Sequence, residues 1–255
     1  MHDLAGKTVL VTGASKGIGA AIAAALGTAG AAVIAHYGTD RAGAEVATRD
    51  IPAERSLLVG ADLAQSDEVD RLWREAQAWR GRVDVLINNA AVMRLAGGIE
   101  DDDAAWDRVW AEALQVNGLA PARLMRHAVR HYVASGGGTI VTISSWAAQR
   151  GSGNPALLAY AASKGAVLAA TKAIARNYAK QNILAYIVAP GVVRTQLSEI
   201  AAAATGGEAA VTATLAMGEW VPPSDIASLV TFLATGTCRH LTGATLDVNG
   251  ASYIR

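Results

Sequence analysis

The chain of 255 residues holds a single cysteine, Cys238, which excludes an intramolecular disulfide and any CxxC redox or zinc pair. Its five histidines, His2, His36, His127, His131 and His240, are scattered. Only His127 and His131 stand four apart, where they share a helical face; with no third ligand near them, no metal site is expected. An excess of one charge is also missing, because 22 Lys and Arg balance 22 Asp and Glu. That leaves no global basic footprint for nucleic acid and no acidic tail. Met1 to Lys7 lack the apolar stretch of a signal peptide. The longest apolar run, Ala20 to Ala35, is interrupted by Gly27, Thr28 and Gly30 and is too short for a membrane span. No repeat and no linker divide the chain. A soluble cytoplasmic protein is expected, one domain over 1–255, with neither nucleic acid nor membrane as partner.

What is present alternates. Short β-branched runs at 7–12, 32–36, 57–59, 83–87, 139–143, 183–188 and 245–248 read as strands, and helical patterns lie between them. This order predicts an α/β fold with a doubly wound, Rossmann-like parallel sheet. Right-handed crossovers then bring the C-terminal ends of the strands to one edge, where such sheets bind ligands. Gly13, Asp62, Asn89, Ser145 and Pro190 all lie just past strand ends. The first strand runs into Thr12-Gly-Ala-Ser-Lys-Gly-Ile-Gly19 and then a helix. Glycines there let the backbone turn and approach a pyrophosphate, and the helix N-terminus offers free N–H groups to it. Their spacing, G-x-x-x-G-x-G, differs from the G-x-G-x-x-G fingerprint. After the second strand come His36, Tyr37, Gly38 and Thr39, with no carboxylate before Asp40. An NAD site usually has an acid there for the ribose. Lys16 and Arg41 instead suit a 2′-phosphate, so NADP(H) is favoured and NAD(H) is the rival through Asp40.

Asp62 suits either an adenine amino group or the cap of the helix near Ser66. Asn117 lies inside a helix read over 107–133, where a buried amide needs a bonded partner, a bend near Gly118, or an ordered water. Tyr160 and Lys164 are four apart on a helix and share a face. A nearby ammonium lowers the pKa of a phenol from its ordinary value of about 10. Bringing it to about 7 needs roughly 4 kcal/mol, about what one cation at ~4 Å supplies at an effective dielectric near 20. Burial works against it, so Lys164 alone is marginal. The Ala-rich run 196–220, with Gly206 and Gly207, occupies the place of a substrate lid, and Met93, Trp146, Met217 and Trp220 are candidates to line a pocket.

In this order the motifs resemble the short-chain dehydrogenase/reductase family, in its single-domain form of roughly 250 residues. The resemblance spans the chain through Thr12-Gly-x-x-x-Gly-x-Gly19, Asp62, Asn88-Asn89-Ala90, Asn117, Ser145, Tyr160-x-x-x-Lys164 and Pro190-Gly191. It implies an alcohol/carbonyl oxidoreductase acting on a small molecule, with Tyr160 as general acid/base and Ser145 holding the substrate oxygen. Lys164 would lower the Tyr160 pKa and bond the nicotinamide ribose, and Asn117 would hold a relay water. The phosphate loop would comprise Gly13, Ser15, Lys16, Gly17, Ile18 and Gly19. His36, Tyr37, Gly38, Asp62, Leu63, Asn89 and Ala90 would serve the adenosine side, and Pro190, Gly191, Val193 and Thr195 the nicotinamide side. A homo-oligomer, commonly a tetramer, is implied as well, built on Ala-rich faces of the helices over 107–133 and 163–180. Two features depart from the family. Ser145 and Tyr160 are spaced slightly wider than usual, with the extra residues in 151–155, and Asn249 replaces an acid in the tail. Rival readings are an epimerase or dehydratase with the same Tyr and Lys, and a non-catalytic dinucleotide-binding regulator.

Overall fold

A computed structural model describes residues 3–255. Strand β1 (Thr8–Val11) leads through the glycine turn into α1 (Gly17–Thr28), then β2 (Ala32–Tyr37), α2 (Arg41–Thr48), β3 (Ser56–Gly60), α3 (Ser66–Arg80) and β4 (Val85–Asn88). The second half runs through α4 (Asp103–Leu114), α5 (Ala120–Ser135), β5 (Gly138–Ile143), α6 (Ala147–Arg150), α7 (Leu158–Tyr178) and β6 (Ile183–Pro190). It closes with α8 (Gln196–Ala203), α9 (Gly207–Thr212), α10 (Pro223–Thr235) and β7 (Thr245–Val248). The seven strands pair in parallel in the order β3-β2-β1-β4-β5-β6-β7. The order reverses between β1 and β4, which opens a crevice beyond their C-terminal ends.

Both faces of the sheet are covered, so the central strands read as unbroken apolar runs. Along β1, Val9 and Val11 join one core with Ile22 and Leu26 of α1 and Val230 of α10. Leu10, between them, faces the opposite core with Leu72 of α3, Leu124 of α5 and Val167 of α7. Each such fully buried aliphatic side chain contributes about 1.5–3 kcal/mol.

Three segments differ from expectation. The helix read over 107–133 is two helices joined by a π-turn, Gln115–Leu119, with the Ala120 N–H reaching back to the Gln115 carbonyl. The bend falls where Asn117 and Gly118 made continuity doubtful. A helix at Pro155–Gln181, which the sequence reading did not single out for its hydropathy, matches a membrane span in length and in its mean hydropathy of 1.2. It packs on β5 and β6 and buries Ser163, Lys164 and Thr171, while most of its apolar window lies outside the core. The tail is fixed by the Asn249 side chain, which donates to the Tyr253 carbonyl at 3.0 Å. Gly191 is needed opposite it, because a Cβ there would lie 2.7 Å from that of Asn249.

Candidate active site

The glycine turn is built for close approach. Gly13 and Gly17 have φ of +67° and +56°, a region that side chains avoid. A Cβ on Gly19 would lie 2.0 Å from the Gly13 carbonyl oxygen. Lys16 stands at the N-cap of α1 in extended conformation, and no side chain caps the helix. The first N–H groups of α1 are therefore left for an anion.

Polar side chains tie this turn to its neighbours. Thr12 Oγ1 accepts from the backbone N–H of Asn89 at 3.0 Å and of Ala90 at 3.1 Å. The Asn89 amide donates to the carbonyls of Thr12 at 2.9 Å and Gly13 at 3.1 Å. His36 is buried between β1 and β3: Nδ1 accepts the Gly13 N–H at 3.0 Å, and Nε2 faces the Ala61 carbonyl at 3.0 Å. That pairing selects the neutral tautomer protonated on Nε2. Burial, above all, lowers the His36 pKa to about 4, and the Arg71 charge adds to the lowering.

These contacts correct part of the expected cofactor set. His36 lines the cleft, but both ring nitrogens are engaged, so it shapes the turn rather than bonding a ribose. Tyr37 is not in the cleft wall; its ring lies against Gly60. Asp40, the rival acid, caps α2 by accepting the Gly43 N–H at 2.8 Å and lies outside the wall. Arg41 is paired with Glu45 at 2.9 Å. Asp62 does line the cleft, and it accepts the Ala64 N–H at 2.9 Å in a local turn instead of capping α3.

The cleft has a volume of about 590 Å³ and runs along the C-terminal strand ends. Gly13, Ser15, Lys16, Gly17, Ile18, Gly19, Gly38, Leu63 and Ala90 line its wall together with Pro190, Gly191, Val193 and Thr195, the last beside Gly17. Val193 is buried and bridges to Val221, while the Thr195 hydroxyl accepts the Ser198 N–H at 3.3 Å as the N-cap of α8. The lid candidate contributes Gln196, Leu197, Ala201 and Val211. Met93 and Trp146 face the cleft; Met217 and Trp220 do not. Met217 is exposed beside Gly250, and Trp220 is buried against Leu215 and Ala202.

At the far end Ser145, Tyr160 and Lys164 meet in the wall. The Ser145 hydroxyl is the polar neighbour that acts on the Tyr160 phenol, and it accepts the Ala147 N–H at 3.1 Å. Of the two adjacent serines it is Ser145 that faces the phenol, because Ser144 Oγ turns back to the Lys164 carbonyl at 3.0 Å. Lys164 Nζ donates to the Ile143 carbonyl at 2.8 Å and lies 6.0 Å from the Tyr160 ring centre. Burial lowers the Lys164 pKa to about 8. Burial also raises the Tyr160 pKa, and the Ser145 hydrogen bond only partly offsets it. The lowering expected from Lys164 is absent in the protein by itself: desolvation governs both groups, and only Ser145 acts to lower the phenol.

Asn117 is buried outside the cleft wall. Its Oδ1 accepts the Val92 N–H at 2.8 Å, and its Nδ2 donates to the Val92 carbonyl at 2.8 Å and to Ser163 Oγ at 3.0 Å. Ser163 Oγ in turn donates to the Tyr160 carbonyl at 2.8 Å. The amide thus clasps the segment after β4 to the helix that carries Tyr160. Both its N–H bonds are committed, so the amide nitrogen has no donor left for a relay water.

Sequence reasoning passed over Arg150, Glu112, Leu157 and the 151–154 loop, all of which line the cleft. The extra residues between Ser145 and Tyr160 form that loop. The one available signal was the spacing of Trp146 and Arg150, four apart.

Comparison with known proteins agrees with this geometry. Residues 13–251 match a family profile described as enoyl-(acyl carrier protein) reductase. An uncharacterized oxidoreductase of Methylorubrum extorquens is 35% identical over 98% of this chain and 99% of its own length. The 3beta-hydroxysteroid dehydrogenase 1 of Eggerthella lenta is 33% identical over 97% of this chain and 94% of its own. The 3-oxoacyl-[acyl-carrier-protein] reductase of Escherichia coli is 32% identical, with 98% of both chains covered. With its strand order, glycine turn and Ser-Tyr-Lys corner, the chain belongs to the short-chain dehydrogenase/reductase family.

Proposed function

We propose that the protein is an NADP(H)-dependent oxidoreductase that interconverts an alcohol and a ketone or aldehyde. The observation that carries this reading is the meeting of Ser145, Tyr160 and Lys164 with an uncapped helix N-terminus along one cleft. The residues present fit a dinucleotide. Glycine at 13, 17 and 19 lets the turn pack against Ala90, Thr195 and its own Gly13 carbonyl, and α1 presents N–H groups that no side chain caps to the cleft. A bound nicotinamide dinucleotide supplies or takes the hydride. Proton transfer falls to the chain's own side chains.

Ser145 holds the substrate oxygen beside the phenol. Tyr160 gives its proton to that oxygen in reduction and takes one in oxidation. Burial keeps the phenol protonated, which suits the acid role, whereas oxidation needs a positive charge in the cleft to favour the phenolate. Lys164, anchored on the Ile143 carbonyl, offers a hydrogen-bond donor beside the ribose and a proton source near neutral pH. Asn117 keeps the Tyr160 helix in place.

NADP(H) is favoured because Lys16 is exposed in the cleft wall with no ion pair among the described residues, while Asp40 is engaged in capping α2. Nucleotide titration by fluorescence tests this: NADPH should bind more tightly than NADH, and Lys16→Glu should weaken NADPH selectively. Equal affinities would remove the NADP assignment. Oxidation of the reduced dinucleotide, followed by its near-ultraviolet absorbance against a panel of ketones and aldehydes, tests the reaction. Dinucleotide binding without turnover of any carbonyl would favour a regulator instead.

A homo-oligomer, a tetramer by family resemblance, goes with this reading. Only 28% of the apolar core of the helix at 155–181 is buried within the chain, and Ala162, Ala166, Ala169 and Ala173 of α7 are exposed. A monomer by light scattering would refute it. Exposed, unpaired Cys238 is consistent with the reducing cytoplasm we propose as its compartment.

A further inference from the structure

We propose that the cleft selects an amphiphilic oxo compound whose anionic oxygen group, a carboxylate or a phosphate, is bound by Arg150. This rests on the oxidoreductase reading for where the carbonyl sits, at Ser145 and Tyr160.

Position is the first argument. Trp146 directly follows Ser145, and its backbone N–H is held by the Pro190 carbonyl at 3.0 Å. The short helix α6 then returns the chain, with the Arg150 N–H on the Trp146 carbonyl at 3.0 Å. The Arg150 guanidinium carbon lies 3.9 Å from the Trp146 ring centre, and both side chains line the cleft. Stacking on an indole fixes the plane of the guanidinium while its edge keeps N–H donors in a fork that matches a carboxylate or phosphate.

Charge is the second argument. Lys16 belongs to the glycine turn and Asp62 to the end of β3, both at the dinucleotide end. His36 is neutral and doubly bonded. Glu112 is bound in two-pronged fashion by Arg94, at 2.8 and 2.6 Å. Lys164 is buried on the Ile143 carbonyl. Arg150 is therefore the one cation at the substrate end of the wall that is exposed and has no carboxylate partner among the described residues.

The remaining surface is apolar. Val92, Met93, Val116, Leu157, Leu197 and Val211 line the cleft. Such a wall suits a hydrocarbon body. One exposed, acid-free cation in that wall suits a single anionic end.

The test compares oxo acids of graded chain length with their methyl esters, and oxoalkyl phosphates with the corresponding neutral alcohols, in the full-length protein with reduced dinucleotide. The wild type should favour the charged member of a pair by about 10- to 100-fold in kcat/KM, the effect of hydrogen bonds to a charged group. The preference should lie in KM, collapse in Arg150→Met, and return in part in Arg150→Lys. The pair with the larger collapse identifies carboxylate or phosphate. Unchanged dinucleotide affinity and an unchanged thermal unfolding midpoint show that the variant is folded. A charged-to-neutral ratio that Arg150→Met leaves intact overturns the proposal. Calorimetry separates it from the reading beneath it. Oxo-acid binding that Arg150→Met abolishes, without turnover in either protein, upholds Arg150 and overturns the oxidoreductase reading. Turnover with equal kcat/KM for acid and ester does the reverse.

Discussion

The two ends of the cleft use polar side chains in opposite ways. At the dinucleotide end Thr12, His36 and Asn89 bond backbone groups and fix the turn. At the catalytic end half-buried Tyr160 and buried Lys164 have their pKa values displaced, and Arg150 is left without an acid. One end is a rigid mould in which backbone N–H groups do the binding. The other holds ionisable groups in surroundings that disfavour their charged forms, where a change in charge or solvation alters chemistry.

Four changes would break or sharpen this contrast. The largest effect belongs to Tyr160→Phe, which should lower kcat by about 10²- to 10⁴-fold while dinucleotide affinity survives. Stopped-flow and steady-state assays decide it, and near-normal turnover would take the acid/base role away from Tyr160.

His36 comes next. Its folded pKa of about 4 lies below the ordinary 6.5, so the native state binds fewer protons between those values. The stability it contributes is present above about pH 6.5 and is lost as pH falls through about 4, some 3 kcal/mol in all. Urea midpoints at pH 7 and pH 4 should diverge more for wild type than for His36→Gln. Parallel curves would mean that His36 is not the neutral clasp described here.

Lys164 carries the same sign for a different reason. Its pKa of about 8 lies below the ordinary 10.5, so its contribution is full above about pH 10.5 and is lost as pH falls through about 8. At pH 7 the buried ammonium is therefore a net cost, partly offset by its bond to the Ile143 carbonyl. Lys164→Met should raise stability at pH 7 by about 1–2 kcal/mol while abolishing most turnover. A destabilised variant would show that the catalytic end is not strained.

The smallest effect lies behind that end. Ala251 has φ of +58°, a conformation that costs an L-residue about 1–2 kcal/mol. Ala251→Gly should stabilise by about 0.5–1 kcal/mol, because glycine's freedom in the unfolded chain takes part of the gain back. Thermal unfolding measures it; a loss would mean that the methyl group packs usefully.

Much of this was legible before any coordinates. Strands buried on both faces announce themselves as apolar runs, and none of the seven was read more than two residues off at either end. The Ser145, Tyr160 and Lys164 corner was legible because two of its members share a helix face and the third ends a strand of the same edge. Asn117 was legible as an anomaly, and the π-turn is its structural counterpart. Less legible were the partners. His36 read as a ribose contact because it ends β2. Its ring in fact meets Gly13 and Ala61, 23 and 25 residues away, a pairing that depends on the register of three strands. Trp220 and Met217 read as pocket residues from their chemistry alone, and packing turned one inward and the other outward. Arg150 carried almost no signal, since a surface arginine is ordinary until a tryptophan beneath it and a cleft beside it are seen.

Local order, then, was determined by the sequence itself: residue type and spacing set the strand and helix periods, the glycines that permit the turn, and the Tyr-Lys face. Only the tertiary structure decided which polar groups are already satisfied and which remain for chemistry. Hydrogen-bond satisfaction and desolvation depend on atoms brought together from distant parts of the chain, and no local pattern encodes that inventory.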